Sequence, residues 1–199
     1  MADITSNDIK LYSQQFDTLS KLVGGRIDEI IFYLDETDKD FTEVQNIYGK
    51  SLLSGIDLKM DGRFYSIGCR FTNINYGLMV SEGRTNEFEF IEESKRPESF
   101  ISEIVGQTIK SADIFWMKIP MEGQTGYYPQ EIVIRSDRNF FLISNIEINN
   151  GEANTEFTDE ILIIEKEETA KQLKLGLFGI ETNGREHFNN VDELISNEK

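Results

Sequence analysis

Few side chains in this chain are of the types that make and break bonds. There is one histidine, His187, and one cysteine, Cys69. A nucleophilic Cys–His pair needs the two in spatial contact. Cys69 lies inside an apolar alternating run, and His187 lies in a polar C-terminal stretch. Cys69 therefore reads as a small, half-buried hydrophobe, and His187 as a surface residue. A serine nucleophile would need a Gly-x-Ser-x-Gly elbow or its equivalent, and none occurs. Zinc takes about four ligands, usually led by His or Cys, so one of each is too few. The acidic run DETDKDFTE (35–43) has the oxygen ligands that calcium uses. A calcium-binding loop needs glycine at its sixth position. Counted from Asp35 that position is Asp40, and counted from Asp38 it is Glu43. No Gly-rich phosphate loop is present, and Gly24-Gly25 stops a helix rather than opening one. Carboxylates for paired acid–base work are abundant, so no pair stands out. The expectation is a protein that is not an enzyme, with no catalytic residue, metal ligand or cofactor to assign.

Charge says more. Asp plus Glu number 36 against 20 Lys plus Arg, a formal net charge of -16. Such a surface repels phosphate backbones and anionic lipid, so neither nucleic acid nor membrane is the expected partner. A basic protein is. Asp35, Glu36, Asp38, Asp40 and Glu43 crowd one loop, where mutual repulsion costs stability, so they are candidate partner-binding residues. Tyr127 and Tyr128, flanked by Gly126 and Pro129, are candidate aromatic anchors exposed on a second loop. Phe115 and Trp116 read as core. The N-terminus MADITSNDIK has no basic flank and no apolar run, so no secretory signal is expected. No stretch approaches the roughly 20 apolar residues of a membrane helix. A lone cysteine excludes an internal disulfide, and a reducing cytoplasm is the expected location.

The elements that would position these groups follow from periodicity. Residues 6–23 form an amphipathic helix with Ile9, Tyr12, Phe16, Leu19 and Leu22 or Val23 on one stripe, stopped at Gly24-Gly25. Ile27–Leu34 reads as a buried strand, and 35–49 as a loop. Leu52–Met60 and Phe64–Phe71 form a hairpin around Asp61-Gly62. Tyr76–Val80 and Phe88–Ile91 continue the meander, and Glu92–Glu98 is a charged linker. LSKLVGGRI (19–27) then finds a counterpart in ISEIVGQTI (101–109), 82 residues on. The second unit is expected to repeat the plan. Pro97–Val105 is a shorter helix and Thr108–Ile119 a strand. A loop carries Pro120, Gly123, Gly126 and Pro129. Gln130–Arg135 and Asn139–Ile146 form a hairpin, and Glu160–Ile164 and Leu173–Phe178 complete the sheet. Val191–Ile195 adds a terminal helix. Ile56, Leu58, Phe64, Tyr65 and Ile67 align with Ile132, Ile134, Phe140, Phe141 and Ile143. The predicted fold is α+β: two tandem copies of a helix followed by an antiparallel β-meander, residues 1–95 and 96–199, packed as one compact domain.

The stretches Leu22-Val23-Gly24-Gly25-Arg26-Ile27 and Asp61-Gly62-Arg63-Phe64-Tyr65-Ser66-Ile67, with a degenerate second set at 104–109 and 137–143, carry a resemblance. In this pattern the chain is similar to immunity proteins of bacterial polymorphic toxin systems. The resemblance implies a cytoplasmic inhibitor that neutralises a cognate toxin by covering its basic active-site surface with carboxylates. Asp137-Arg138 stands where the first set has Asp-Gly, a departure from the pattern. The alternative is a carboxylate-based enzyme or small-ligand binder, which would need a pocket lined by convergent Asp or Glu and by Trp116 or Tyr127.

Overall fold

The apolar stripe of the first helix, repeating every three to four residues, must be buried against something. In the computed structural model that something is a core shared by two antiparallel sheets. The structure describes residues 6–35, 50–52, 55–71, 76–85, 95–99, 102–121, 124–149, 152–154, 161–180 and 184–197. Helix α1 (Ser6–Leu22) is followed by β1 (Ile27–Asp35), β2 (Lys50–Leu52), β3 (Gly55–Met60), β4 (Arg63–Phe71), β5 (Tyr76–Glu82) and β6 (Lys95–Ser99). Then come β7 (Ser111–Met121), β8 (Gln124–Arg135), β9 (Phe140–Ser144), β10 (Glu147–Asn149), β11 (Glu152–Asn154) and β12 (Ile161–Ile164). Helix α2 (Glu167–Gln172), a 3-10 turn at Gly176–Gly179, β13 (Arg185–His187) and α3 (Val191–Asn197) close the described chain.

The first sheet runs β5-β4-β3-β1-β6 and the second β13-β7-β8-β9-β12-β2, while β10 and β11 make a separate hairpin. The fold is α+β, as expected, and among the described residues the strands pair antiparallel. Alternate strand residues point to opposite faces. Ile30, Phe32, Ile56, Leu58 and Ile67 of the first sheet meet Ile114, Trp116, Ile132, Ile134 and Ile143 of the second, with Tyr12, Leu19 and Leu22 of α1, in one cluster. The other face of the second sheet is buried too. Phe115, Val133, Leu142, Leu162 and Ile164 pack under Ala170, Leu173 and Leu175.

Cross-strand pairs recur at matching positions in the two sheets. Ile30 and Phe32 face Leu58 and Ile56, and Ala112 and Ile114 face Ile134 and Ile132. Ile56 and Leu58 face Ile67 and Tyr65, and Ile132 and Ile134 face Ile143 and Phe141. The two Gly-x-x-Ile stops meet each other. Gly24 N–H donates to Ile109 O at 2.9 Å and Gly106 N–H to Ile27 O at 2.7 Å. Ile27 N–H donates to Gln107 O at 3.0 Å and Ile109 N–H to Gly25 O at 2.9 Å, around the bridge between Arg26 and Thr108. Gly24 and Gly106 have φ of +87° and +83°, which favours glycine at both.

Several expected elements are corrected. The helix expected over 97–105 is corrected at its described residues: Lys95–Ser99 is the edge strand β6, paired with Ile31–Asp35, and 103–106 is a turn, while 100 and 101 lie outside the described residues. Proline removes one ladder donor, which an edge strand tolerates, so Pro97 fits β6 as well as a first helical turn. The expected loop around Pro120, Gly126 and Pro129 is instead the paired length of β7 and β8, while Gly123 lies outside the described residues. Register shifts there, with Phe115 opposite Glu131 and Trp116 opposite Pro129, so Gln130 is the extra residue of a bulge. A bulge is where a strand accommodates proline. Leu173–Phe178 is the end of α2 and the 3-10 turn, not a strand. Leu52–Met60 is divided: Lys50–Leu52 leaves for the second sheet, where it pairs with β12. Phe88–Ile91 lies outside the described residues. The terminal helix is present as Val191–Asn197.

Candidate functional site

Two buried carboxylates are the first groups to test, because desolvation is what makes a carboxylate reactive. Asp57, on β3, is fully buried. Its Oδ2 accepts from Tyr33 Oη at 2.7 Å. Its Oδ1 accepts from Ser66 Oγ at 2.7 Å, from Thr85 N–H at 2.9 Å and from Thr85 Oγ1. The half-buried Arg84 lies 3.7 Å away, with its guanidinium over the Phe64 ring. Glu131, on β8, accepts from Arg185 Nε at 3.0 Å and Nη2 at 2.8 Å, and from Gly176 N–H. Each carboxylate is enclosed by donors that tie separate segments together. This is how a fold pays for a buried charge, and it leaves neither carboxylate an open side for a substrate.

Two clefts flank α1. The first, about 300 Å³, lies between α1 and β5 and is lined by Leu11, Gln14, Thr18, Lys21 and residues Met79–Glu82. Its strand edge is closed by the helix. Gln15 Oε1 accepts from Val80 N–H at 3.2 Å, Gln15 Nε2 contacts Met79 Sδ at 3.2 Å, and Lys21 pairs with Glu82.

The second cleft, also about 300 Å³, lies between α1 and β7. One wall is Phe16, Leu19, Ser20 and Val23, a single helix face by their spacing. The other is Lys110, Ser111, Ala112, Asp113 and Ile114, and His187, Phe188 and Asn189 close one end. Consecutive strand residues point to opposite faces. A wall of Lys110 and the first four residues of β7 in succession is therefore an edge of that strand, not a face of the sheet. Strand β13 covers that edge at Phe115–Met117 and stops there. Among the described residues no side chain of α1 hydrogen-bonds to Lys110–Ile114. Val23 is 47% exposed, one of two large hydrophobic residues left so among the described residues.

His187, read from sequence as a surface residue, is half-buried in this cleft. Its Nε2 lies 3.5 Å from Asp113 Oδ1, and its ring is 5.2 Å from that of Phe115. The Asp113 carboxyl is held below the usual carboxylate range, chiefly by the hydrogen bond from His187, against partial burial and with help from Ser111. Sequence spacing could not have found this pair: Asp113 and His187 meet only because β13 returns to the edge of β7. Cys69 is elsewhere, on β4, with its Sγ 3.0 Å from Asn145 Nδ2. Among the described residues no group of three or more His, Cys, Asp or Glu is placed to hold a metal ion. No helix among them is long and apolar enough to cross a membrane.

The expected partner-binding residues fare differently. Asp35 ends β1, and Glu36, Asp38, Asp40 and Glu43 lie outside the described residues. Tyr127 and Tyr128 are not on an exposed loop. They sit in β8 at 2% and 1% exposure, so they cannot meet a partner directly. Tyr12 Oη donates to Tyr127 O at 3.3 Å, and the Tyr127 ring is edge-on to Phe188 at 5.2 Å. Phe115 and Trp116 are core, as expected, with Trp116 edge-on to Tyr12 at 4.9 Å and stacked on Phe16 at 5.8 Å. Neither Trp116 nor Tyr127 lines either cleft. Compared with known proteins, the chain matches no family model, no curated protein and no solved structure.

Proposed function

We propose that this chain is an acidic, cytoplasmic protein-binding protein: an immunity protein that neutralises a cognate toxin by covering a basic surface. Its scaffold is two copies of one meander unit, the first led by α1 and the second having given up its helix. The observation that carries the reading is the net charge of -16. Asp57 and Glu131 are committed to internal bonds, so the remaining acidic groups are what a basic partner would meet. Complementary charge of this kind acts mainly on the association rate and on rejection of wrong partners.

The test starts from a toxin gene next to the gene for this chain, and then measures binding of its effector domain. Changing Asp35, Glu36, Asp38 and Asp40 to Asn or Gln should leave the melting temperature nearly unchanged. It should slow association roughly tenfold at low salt and flatten the salt dependence. Wild-type rates with an unaltered salt slope would show that those residues do not steer the partner.

A second reading, a small-ligand binder or enzyme, is favoured by one observation: Asp113 and His187 share a cleft. It no longer has the aromatic lining that Trp116 or Tyr127 was to supply. Under it, His187→Gln would abolish ligand binding or turnover and leave the association rate of a protein partner untouched.

A further inference from the structure

We infer that residues 167–179 form a strap that lifts as a unit from the second sheet, on the face turned away from the first sheet. Closed, the strap hides an apolar surface, and local opening uncovers it. This holds whether or not a toxin is the partner.

Local structure does not hold the strap in its closed form. Helix α2 has six residues, and no side chain caps its N-terminus. A helix this short is unstable in water without tertiary contacts. The 3-10 turn that follows has four residues and no side-chain cap either. Between them Lys174 has φ of +56°, a left-handed conformation that a residue with a Cβ disfavours. The closed strap therefore stores backbone strain that opening releases.

Its backbone bonds turn inward. Thr169 and Ala170 N–H donate to Lys166 O, Leu173 N–H to Thr169 O, Leu175 N–H to Ala170 O and Phe178 N–H to Leu175 O. Among the described residues no strand pairs with the strap. It can thus leave without breaking a ladder of the sheet, which is what makes a segment open separately from the global fold. Side chains fasten it instead. Ala170, Leu173 and Leu175 share one buried cluster with Val133, Leu142 and Leu162 of the sheet. Glu131 accepts from Gly176 N–H, and Arg135 Nη2 donates to Glu167 Oε1 at 3.0 Å.

The covered surface belongs to the second sheet alone. Val133 and Leu142 stand where the first sheet has the polar Asp57 and Ser66, by the alignment of Ile132 with Ile56 and of Ile143 with Ile67. Gly176 sets how closely the strap sits. A Cβ there would lie 3.1 Å from Val133 Cγ2, and its φ of +57° already disfavours alanine. Gly176→Ala should lift the strap. Lys174→Gly, which removes a Cβ from a left-handed residue, should seat it more firmly.

Thiol probes on adjacent residues of β12 read the opening, in the full chain carrying Cys69→Ser. Leu162 belongs to the cluster under the strap and Ile163 to the core between the sheets. Leu162→Cys and Ile163→Cys are each reacted with an aromatic disulfide reagent under native conditions, and circular dichroism confirms that each variant is folded. Leu162→Cys should react at least about tenfold faster than Ile163→Cys. Gly176→Ala should accelerate the reaction at Leu162→Cys about tenfold, and Lys174→Gly should slow it about threefold. Gly55→Ala destabilises the first sheet, so it should accelerate the reaction at Ile163→Cys, which needs global unfolding, and leave that at Leu162→Cys unchanged. The inference is overturned by equal rates at the two probes, by a Leu162→Cys rate indifferent to both strap substitutions, or by a Leu162→Cys rate that follows Gly55→Ala as Ile163→Cys does.

Discussion

Replacing Arg185 by Met takes the cation away from a carboxylate that has no access to water. Glu131 and Arg185 have side-chain exposures of 0% and 2%. The guanidinium donates twice to Glu131 Oε1, at 3.0 and 2.8 Å, and Gly176 N–H serves the other oxygen. Deleting one partner of such a pair costs about 3–5 kcal/mol, because the remaining charge stays buried without compensation. Unfolding entropy is about 2.1 cal/mol/K per residue, so for 199 residues the melting temperature should fall by roughly 7–12 °C. The double variant Glu131→Leu/Arg185→Met removes both charges. Apolar replacement of a whole buried pair is neutral or stabilising by about 1–4 kcal/mol. Against this, Gly176 N–H loses its acceptor, at a cost of about 1–3 kcal/mol. The double variant should therefore be more stable than Arg185→Met alone. Urea unfolding followed by the fluorescence of the buried Trp116 measures all three proteins. A loss below about 1 kcal/mol in Arg185→Met, or a double variant weaker than the single one, would refute the claim that the pair is desolvated. Because Arg185 belongs to β13, which pairs with β7, amide exchange in β13 should accelerate in Arg185→Met before the rest of the second sheet responds.

Other perturbations test other parts of the fold. Gly55 has φ of +142°, and a Cβ there would lie 2.5 Å from Ile67 O and 2.9 Å from Gly68 Cα. Gly55→Ala should thus cost about 3 kcal/mol or more, read as a drop in urea midpoint; a wild-type midpoint would mean that β3 and β4 are not so close. The lowered Asp113 carboxyl means that the folded state binds fewer protons than the unfolded state as pH falls through about 4, so stability rises with pH in that window. The stability gap between wild type and Asp113→Asn should be full above about pH 4 and close as pH falls through the depressed native value. An equal gap at about pH 6, 4 and 3 would dispose of the Asp113–His187 contact as its source.

Where local chemistry decides structure, the sequence was legible. The stripe from Ile9 to Leu22 is α1, and Gly24 ends it in the left-handed conformation. Asp61-Gly62 turns the β3–β4 hairpin with φ of +50° and +77°, as a two-residue turn of this type requires. Three of the failures share one cause. Pro97 and Pro129 look like a helix start and a loop, yet both sit in strands, because an edge and a bulge each spare the donor that proline lacks. Tyr127 and Tyr128 looked exposed for the same reason: with β8 continuing through Pro129, they fall inside a paired and covered strand.

By itself the sequence determined the charge, the amphipathic first helix, the hairpin turns and the two glycine stops. All of these are set by residues within a few positions of one another. Only the tertiary structure decided that β2 joins the second sheet, that β6 covers the edge of β1, that the two glycine stops bond to each other, and that Asp113 meets His187 where β13 pairs with β7. The physical reason is that a strand edge is the same row of backbone donors and acceptors whatever the side chains. Which segment fills it depends on how the whole sheet curves and what else is near, and that is not written in any short stretch of the chain.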